Sequence, residues 1–220
     1  MRSSPPISRA RAYFTWIQLI VVYGLTEGAL WSRHVAMRNR WALAAAIAIL
    51  VFVVLDVALS DEPALQRLGL GLPTTFGASL VLAVSLVTAL FLIFMVRWAG
   101  GDLPAIGIWP SVSQSWAYVV WALIQEFILQ SFFFTRCEDL FGGDAAVWIA
   151  ATLFAAAHLP SPLLTTFTFI AALFFCSMFR RYRSIYPIAV VHAMLGLTVA
   201  MTMPDSLLHH MRVGIGYLRY

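Results

Sequence analysis

The sequence predicts an all-α, polytopic membrane protein: a transmembrane helical bundle of about seven spanning helices with a short interfacial helix. Of its 220 residues, 61% are hydrophobic and only 11% are charged, whereas soluble domains contain about 45–50% apolar and about 25% charged residues. Several apolar runs approach the roughly 20 residues that a helix needs to cross a bilayer. No polar stretch is long enough to fold as a separate module, so we expect a single transmembrane domain.

The distribution of charge indicates a lipid surface as a partner and excludes nucleic acid. The formal net charge is +4, and all fourteen basic residues are arginines. They lie at the ends of loops, where anionic head groups attract them, and no basic face with interleaved aromatic residues lies outside the apolar runs. Cys137 and Cys176 form no CxxC pair, so we interpret both as small buried residues. The sequence leaves the oligomeric state open.

The apolar runs divide the chain into elements in order. We expect a disordered basic tail over residues 1–12, the transmembrane domain over 13–204 and a short tail over 205–220 on the membrane surface. The predicted spans are 13–31, 41–59, 76–98, 115–142, 145–159, 163–179 and 184–203. The arginine-rich loop 180–183 favours an amino terminus inside, but the basic loop 32–40 would then lie outside, so the orientation stays open.

Local signals predict where several helices begin and end. The acidic, proline-containing string at residues 60–63 predicts the start of the interfacial helix, which we expect to end near Leu70. Gly142 and Gly143 predict the end of the fourth span, and Asp144 predicts a cap for the fifth. Pro160 ends the fifth span because proline cannot continue a helix.

Three of the predicted spans carry polar side chains at membrane depth. Glu126 lies in the fourth span, His158 in the fifth and His192 in the seventh. A carboxylate near the bilayer centre costs roughly 2.5–3.5 kcal/mol, so such a residue faces protein or water and usually has a function. Each histidine alone is more often a satisfied core residue. Together with Glu126, they predict one shared site inside the membrane.

Helical spacing gives each of these residues a neighbour on its own face. Residues four apart share a face, which pairs Glu126 with Gln130, Phe154 with His158, and His192 with Gly196. A carboxylate with imidazoles can deprotonate a water molecule, and an imidazole can stabilise a developing oxyanion. These are the parts of a hydrolase that uses water directly.

Three strings in the chain resemble the motifs of a known family. QEFILQ at 125–130 resembles E-E-x-x-x-R, FAAAH at 154–158 resembles F-x-x-x-H, and HAMLG at 192–196 resembles H-x-x-x-N or H-x-x-x-D. In this order, within a core of about residues 105–200, they resemble the CPBP or Abi family of CAAX-prenyl proteases and bacteriocin-processing enzymes. The resemblance implies an intramembrane glutamic endopeptidase that acts on a peptide or lipidated protein without a cofactor, in the bacterial cytoplasmic membrane.

The chain departs from the family pattern at three positions. Gln125 stands where the resemblance implies the glutamate that activates water, Gln130 replaces an arginine, and Gly196 replaces an asparagine that binds the oxyanion. Glutamine cannot act as a general base, and the loss of one oxyanion donor typically costs about 10²–10³ in turnover. Relative to the family pattern, Gln125 removes a negative charge and Gln130 removes a positive charge, so the net charge of the pocket is unchanged.

Several interpretations of the site therefore stay open. In the first, Glu126 has taken over as the base and works with His158 and His192. In the second, the protein is an inactive CPBP-like scaffold or immunity protein that binds peptides. The same three residues could instead ligate zinc as a site of two histidines and one carboxylate, or act as a proton relay in a coupled transporter.

Overall fold

The computed structural model describes residues 8–59, 64–100 and 112–219, and for residues 112–114 it describes the backbone alone. Within these ranges the chain is helical, and the only β-type pairing is an isolated antiparallel bridge between Leu70 and Ser184. The predicted all-α class is thereby confirmed. Residues 1–7, part of the predicted disordered tail, lie outside the described ranges.

Eleven α-helices, one π-helical segment and one 3₁₀ turn follow one another in the described ranges. They are α1 (Arg9–Trp31), α2 (Val35–Leu59), α3 (Ala64–Arg67), α4 (Thr75–Trp98), α5 (Val112–Glu126), the π segment (Phe127–Phe134), α6 (Thr135–Phe141), α7 (Gly143–Ala156), α8 (Pro162–Tyr182), α9 (Tyr186–Thr202), α10 (Asp205–Leu208), the 3₁₀ turn (His209–Met211) and α11 (Ile215–Leu218).

The first two helices begin earlier than the sequence predicts. The Ser8 side chain accepts a hydrogen bond from the backbone N–H of Arg11, so α1 already starts at Arg9, inside the segment that we expected to be disordered. The basic loop expected before the second span is mostly helical, because α2 starts at Val35. Arginine is a good helix former, and its long side chain reaches water from the end of a membrane helix.

The other predicted ends agree with the structure to different degrees. Gly142 ends α6 with a φ of 80°, as predicted. Asp144 does not cap α7, which has no side-chain cap; its carboxylate instead forms an ion pair with Arg180. A short helix lies over Ala64–Arg67, so it ends at Arg67 and not near Leu70 as predicted, because Gly69 in the following turn has a φ of 70°; residues 60–63 lie outside the described ranges.

Ion pairs gather at one end of the bundle, which we call the ion-pair end. Arg67 lies between Asp56 and Asp139, and Arg183 contacts both carboxylate oxygens of Glu138 at 2.5 and 2.6 Å. These residues tie the ends of α2, α3, α6 and α8 together. Salt bridges of this kind fix relative positions more than they add stability.

The carboxyl-terminal tail lies at the opposite end. The backbone N–H of Gly214 donates to the carbonyl of Leu159 at 2.7 Å. Leu208 is buried in a small apolar cluster with Leu164 and Val199. The tail therefore packs on the bundle near the turn that follows α7.

Four described helices are long and apolar enough to cross a membrane: Val35–Leu59, Thr75–Trp98, Ser115–Phe141 and Pro162–Tyr182. The third of these combines α5, the π segment and α6. Helices α7 and α9 are apolar but shorter. An integral membrane protein is supported by these helices, and the count of seven spans stays a prediction.

Candidate functional site

Glu126 is the last residue of α5 and is fully buried. Its Oε1 lies 2.7 Å from Nδ1 of His192 on α9. Its Oε2 accepts a hydrogen bond from Nε2 of Gln130 at 3.1 Å. Both carboxylate oxygens are therefore held by side chains, one from a neighbouring helix and one from the same helix.

The π segment starts immediately after Glu126. Such wide helical turns are rare and often lie at functional sites. Phe132 and Phe134 are fully buried in this segment and anchor it in the main apolar core. The wide turn thus sets the position of Gln130 relative to Glu126 within a rigid surrounding.

His192 lies between two aromatic rings. The Phe154 ring stands perpendicular to it at 6.0 Å, and the Phe175 ring is stacked on it at 5.7 Å. Because a carboxylate only accepts hydrogen bonds, Nδ1 of His192 is the donor to Glu126, and Nε2 of the neutral ring is an acceptor. The side chain remains 12% exposed, so the imidazole is the accessible part of this pair.

His158 follows α7 and does not bond to Glu126. Its Nδ1 lies 2.8 Å from the backbone carbonyl of Phe154, which can only accept, so Nδ1 is again a donor. The Phe154 ring lies 4.8 Å from the His158 ring and also contacts His192. The structure therefore joins Glu126 and His192 directly and links His158 to them through Phe154.

The remaining predicted positions differ in their surroundings. Gln125 is half-buried. Gly196, one turn after His192 on α9, lies directly against the side chain of Tyr118 on α5. A Cβ at position 196 would lie 2.9 Å from two ring carbons of Tyr118 and closer still to its hydroxyl. Sequence reasoning missed Tyr118, because a tyrosine in an apolar run is typical of simple packing.

Zinc is one of the alternatives that the sequence leaves open for Glu126, His158 and His192. Among the residues whose placement is described, no group of three or more His, Cys, Asp and Glu side chains is spaced to hold a metal ion. Glu126 and His192 bond to each other, and His158 bonds to a backbone carbonyl. Cys137 and Cys176 are both free and buried, as expected.

One family model matches the chain. Residues 107–198 match the model described as Rce1-like, Type II CAAX prenyl endopeptidase. The matched segment is less than half of the chain and contains all three motif strings. No curated protein matches the chain, and no solved structure matches it.

Proposed function

We propose that this chain is a membrane endopeptidase that hydrolyses a peptide bond of a prenylated or otherwise lipidated protein, because residues 107–198 match the family model described as Rce1-like, Type II CAAX prenyl endopeptidase. The observation that supports it is the 2.7 Å contact between the fully buried Glu126 and His192, inside the matched segment. The family match covers the segment that contains the three motif strings and so supports the proposal.

In the proposed reaction, His192 is the group that meets the water. Its Nε2 takes a proton from water while the water oxygen attacks the carbonyl carbon, and the electrons of the C=O bond move to the oxygen. The tetrahedral intermediate then collapses, the C–N bond breaks, and the leaving amine takes the proton from His192. General base catalysis of this kind typically contributes about 10²–10⁴ in rate.

Glu126 acts through His192 in this proposal. The sequence alone predicts Glu126 as the group that activates water, but its buried oxygens already accept from His192 and Gln130. A carboxylate on Nδ1 fixes the tautomer of an imidazole and stabilises the cation that forms when Nε2 takes a proton. Glu126 therefore has the orienting role in a Glu–His pair.

His158 has a separate part in the proposal. Its Nδ1 is bound to the Phe154 carbonyl, which leaves Nε2 as the acceptor of the neutral ring. We assign this acceptor to a hydrogen of the attacking water or to the substrate amide. Phe154, which contacts both imidazoles, keeps the two rings at a fixed separation.

Cleavage by the purified protein tests this proposal. The protein in proteoliposomes is given a fluorogenic farnesylated peptide that ends in a CAAX sequence. Glu126→Gln and His192→Ala should each lower turnover about 10²–10⁴-fold, the range for a lost base. Glu27→Gln and His34→Ala are the matched controls: Glu27 bonds to Trp31 on α1, His34 is exposed, and both should leave turnover unchanged.

Two results would contradict the proposal. A wild-type protein that binds the peptide but never cleaves it supports the alternative of an inactive binding protein, which the glutamine at position 125 favours. Cleavage that survives both Glu126→Gln and His192→Ala places the reacting groups elsewhere. Zinc content of the purified protein and the effect of a chelator on turnover check the metal alternative.

The proposed location follows from the helices and the family. The long apolar helices make the chain an integral membrane protein, and a lipidated substrate reaches such a site from the bilayer. We propose the bacterial cytoplasmic membrane as its location.

A further inference from the structure

We propose that the phenolic hydroxyl of Tyr118 donates a hydrogen bond to the oxyanion that forms during peptide hydrolysis. This inference rests on the proposed function and adds to it a catalytic residue outside the three motif strings. An O–H group aimed at a developing oxyanion stabilises the transition state.

The position of Tyr118 follows from the packing of α5 on α9. The hydroxyl lies so close to Gly196 that a Cβ there would overlap it. Gly196 is four residues after His192, so both face the same side of α9, about one turn or roughly 5.4 Å apart along the axis. The Tyr118 hydroxyl therefore lies one turn along α9 from the proposed base.

Two other polar groups of the site already donate hydrogen bonds elsewhere. The N–H at Nδ1 of His158 is bonded to the Phe154 carbonyl, and the amide of Gln130 is bonded to Glu126. Gly196 has no side chain to offer. The hydroxyl of Tyr118 fills the space that a side chain at position 196 would take. In this proposal a hydrogen-bond donor on α5 takes the place of the α9 asparagine that the family motif has at this position.

Tyr118→Phe tests this role because it keeps the ring that packs against Gly196. With the farnesylated CAAX peptide in proteoliposomes, kcat should fall about 10²–10³-fold, the effect typical of one lost oxyanion donor, with KM little changed. Tyr186→Phe is the control: it also removes a tyrosine hydroxyl, one that donates to the carbonyl of Leu70 at the start of α9 and not to the site.

A transition-state analogue gives a second readout that a purely structural role would not move. A phosphinic peptide places a charged tetrahedral oxygen where the oxyanion forms. Tyr118→Phe should raise the Kd of this analogue by the same factor as it lowers kcat/KM. The Kd of a non-cleavable substrate peptide should stay at the wild-type value.

An exchange of the donor between the two helices completes the test. Tyr118→Ala opens the space, and Gly196→Asn then offers an amide donor from α9. The double variant should be at least tenfold more active than Tyr118→Ala combined with Gly196→Ala, which fills the space without a donor; tenfold corresponds to about 1.4 kcal/mol.

The outcomes separate this inference from the proposed function. An active wild type whose Tyr118→Phe variant has the same kcat and the same Kd for the phosphinic peptide overturns the role of Tyr118 alone. A wild-type protein that cleaves nothing overturns both proposals. If Tyr118→Phe and Tyr186→Phe lower kcat by the same large factor, the loss is not specific to Tyr118, and the inference is contradicted.

Discussion

Gln130 shows how a neutral side chain can hold a buried carboxylate. Its amide nitrogen bonds to Oε2 of Glu126, and its own oxygen is buried without a hydrogen-bond partner among the described residues. An amide adds a donor to the carboxylate without adding a charge. Glu126 is thus left with His192 as its ionisable partner, which suits a pair that passes a single proton.

Removal of this amide should weaken the fold around Glu126. Gln130→Leu leaves Oε2 of a buried carboxylate without its donor, which costs more than is regained by removing the unpaired, neutral amide oxygen of Gln130, so we expect a net loss of about 1 kcal/mol. We expect a lower Tm for the variant, measured by thermal unfolding in detergent. Gln66→Leu, at an exposed position on α3, is the matched control. Equal Tm values for the two variants would contradict the importance of this bond.

The sequence predicts the residues of the site better than it predicts their contacts. Glu126, His158 and His192 stand out because polar groups in apolar spans need partners. His192 bonds directly to Glu126, whereas His158 lies on the far side of the Phe154 ring that both histidines contact. Both features depend on how each helix is rotated about its axis, which the sequence does not give. Tyr118 gives no signal of its own, since only helix packing brings it to Gly196.

At the scale of elements, the glycine that ends α6 was predicted, whereas the change of helix type after Glu126 was not. Gly142 marks the end of α6 as expected, because glycine adopts a positive φ at low cost. The π segment over 127–134 was not predicted. Its residues are almost uniformly apolar, so no alternation of polar side chains reveals that the number of residues per turn has changed.

Gly69, in the turn between α3 and α4, allows a test of the packing at this turn. Gly69 has a φ of 70°, and a Cβ there would lie 2.9 Å from Cζ of the buried Phe179 and closer to Cε2. Gly69→Ala should therefore lower the free energy of unfolding by more than about 1 kcal/mol, through both strain and overlap.

The neighbouring glycine provides the control for this experiment. Gly71 has open space around its missing Cβ, so Gly71→Ala should leave the Tm in detergent near that of the wild type. Equal Tm values for Gly69→Ala and Gly71→Ala would contradict the close contact between Phe179 and this turn.

At the scale of the whole molecule, the first helix begins at one end of the bundle and the carboxyl-terminal tail, as far as it is described, packs at the other. The start of α1 is near the ion-pair end, where Trp16 contacts Phe141 at the end of α6. The tail lies at the far end of α1, where Gly214 approaches the backbone of Leu30. This arrangement fits an odd number of crossings and hence the predicted seven spans.

Reporter fusions test the number of crossings. Green fluorescent protein reports a cytoplasmic terminus, and alkaline phosphatase reports an external one. Each reporter, fused in turn to the amino and the carboxyl terminus in a bacterial host, should place the two termini on opposite sides. Termini on the same side would show an even number of spans and would remove either α1 or one of the short helices α7 and α9 from the membrane-crossing set.

The buried guanidinium of Arg136 has a consequence for any attempt to isolate the catalytic region. Its Nε donates to the side chain of Gln18 on α1, and its Cζ lies 3.8 Å from the centre of the Phe132 ring. Gln18 is outside the matched segment 107–198. A gene fragment that encodes that segment alone keeps the bonds from Arg136 to the carbonyls of Ser131 and Phe132 but loses the acceptor on α1, so we expect the amino-terminal helix to be needed for folded protein.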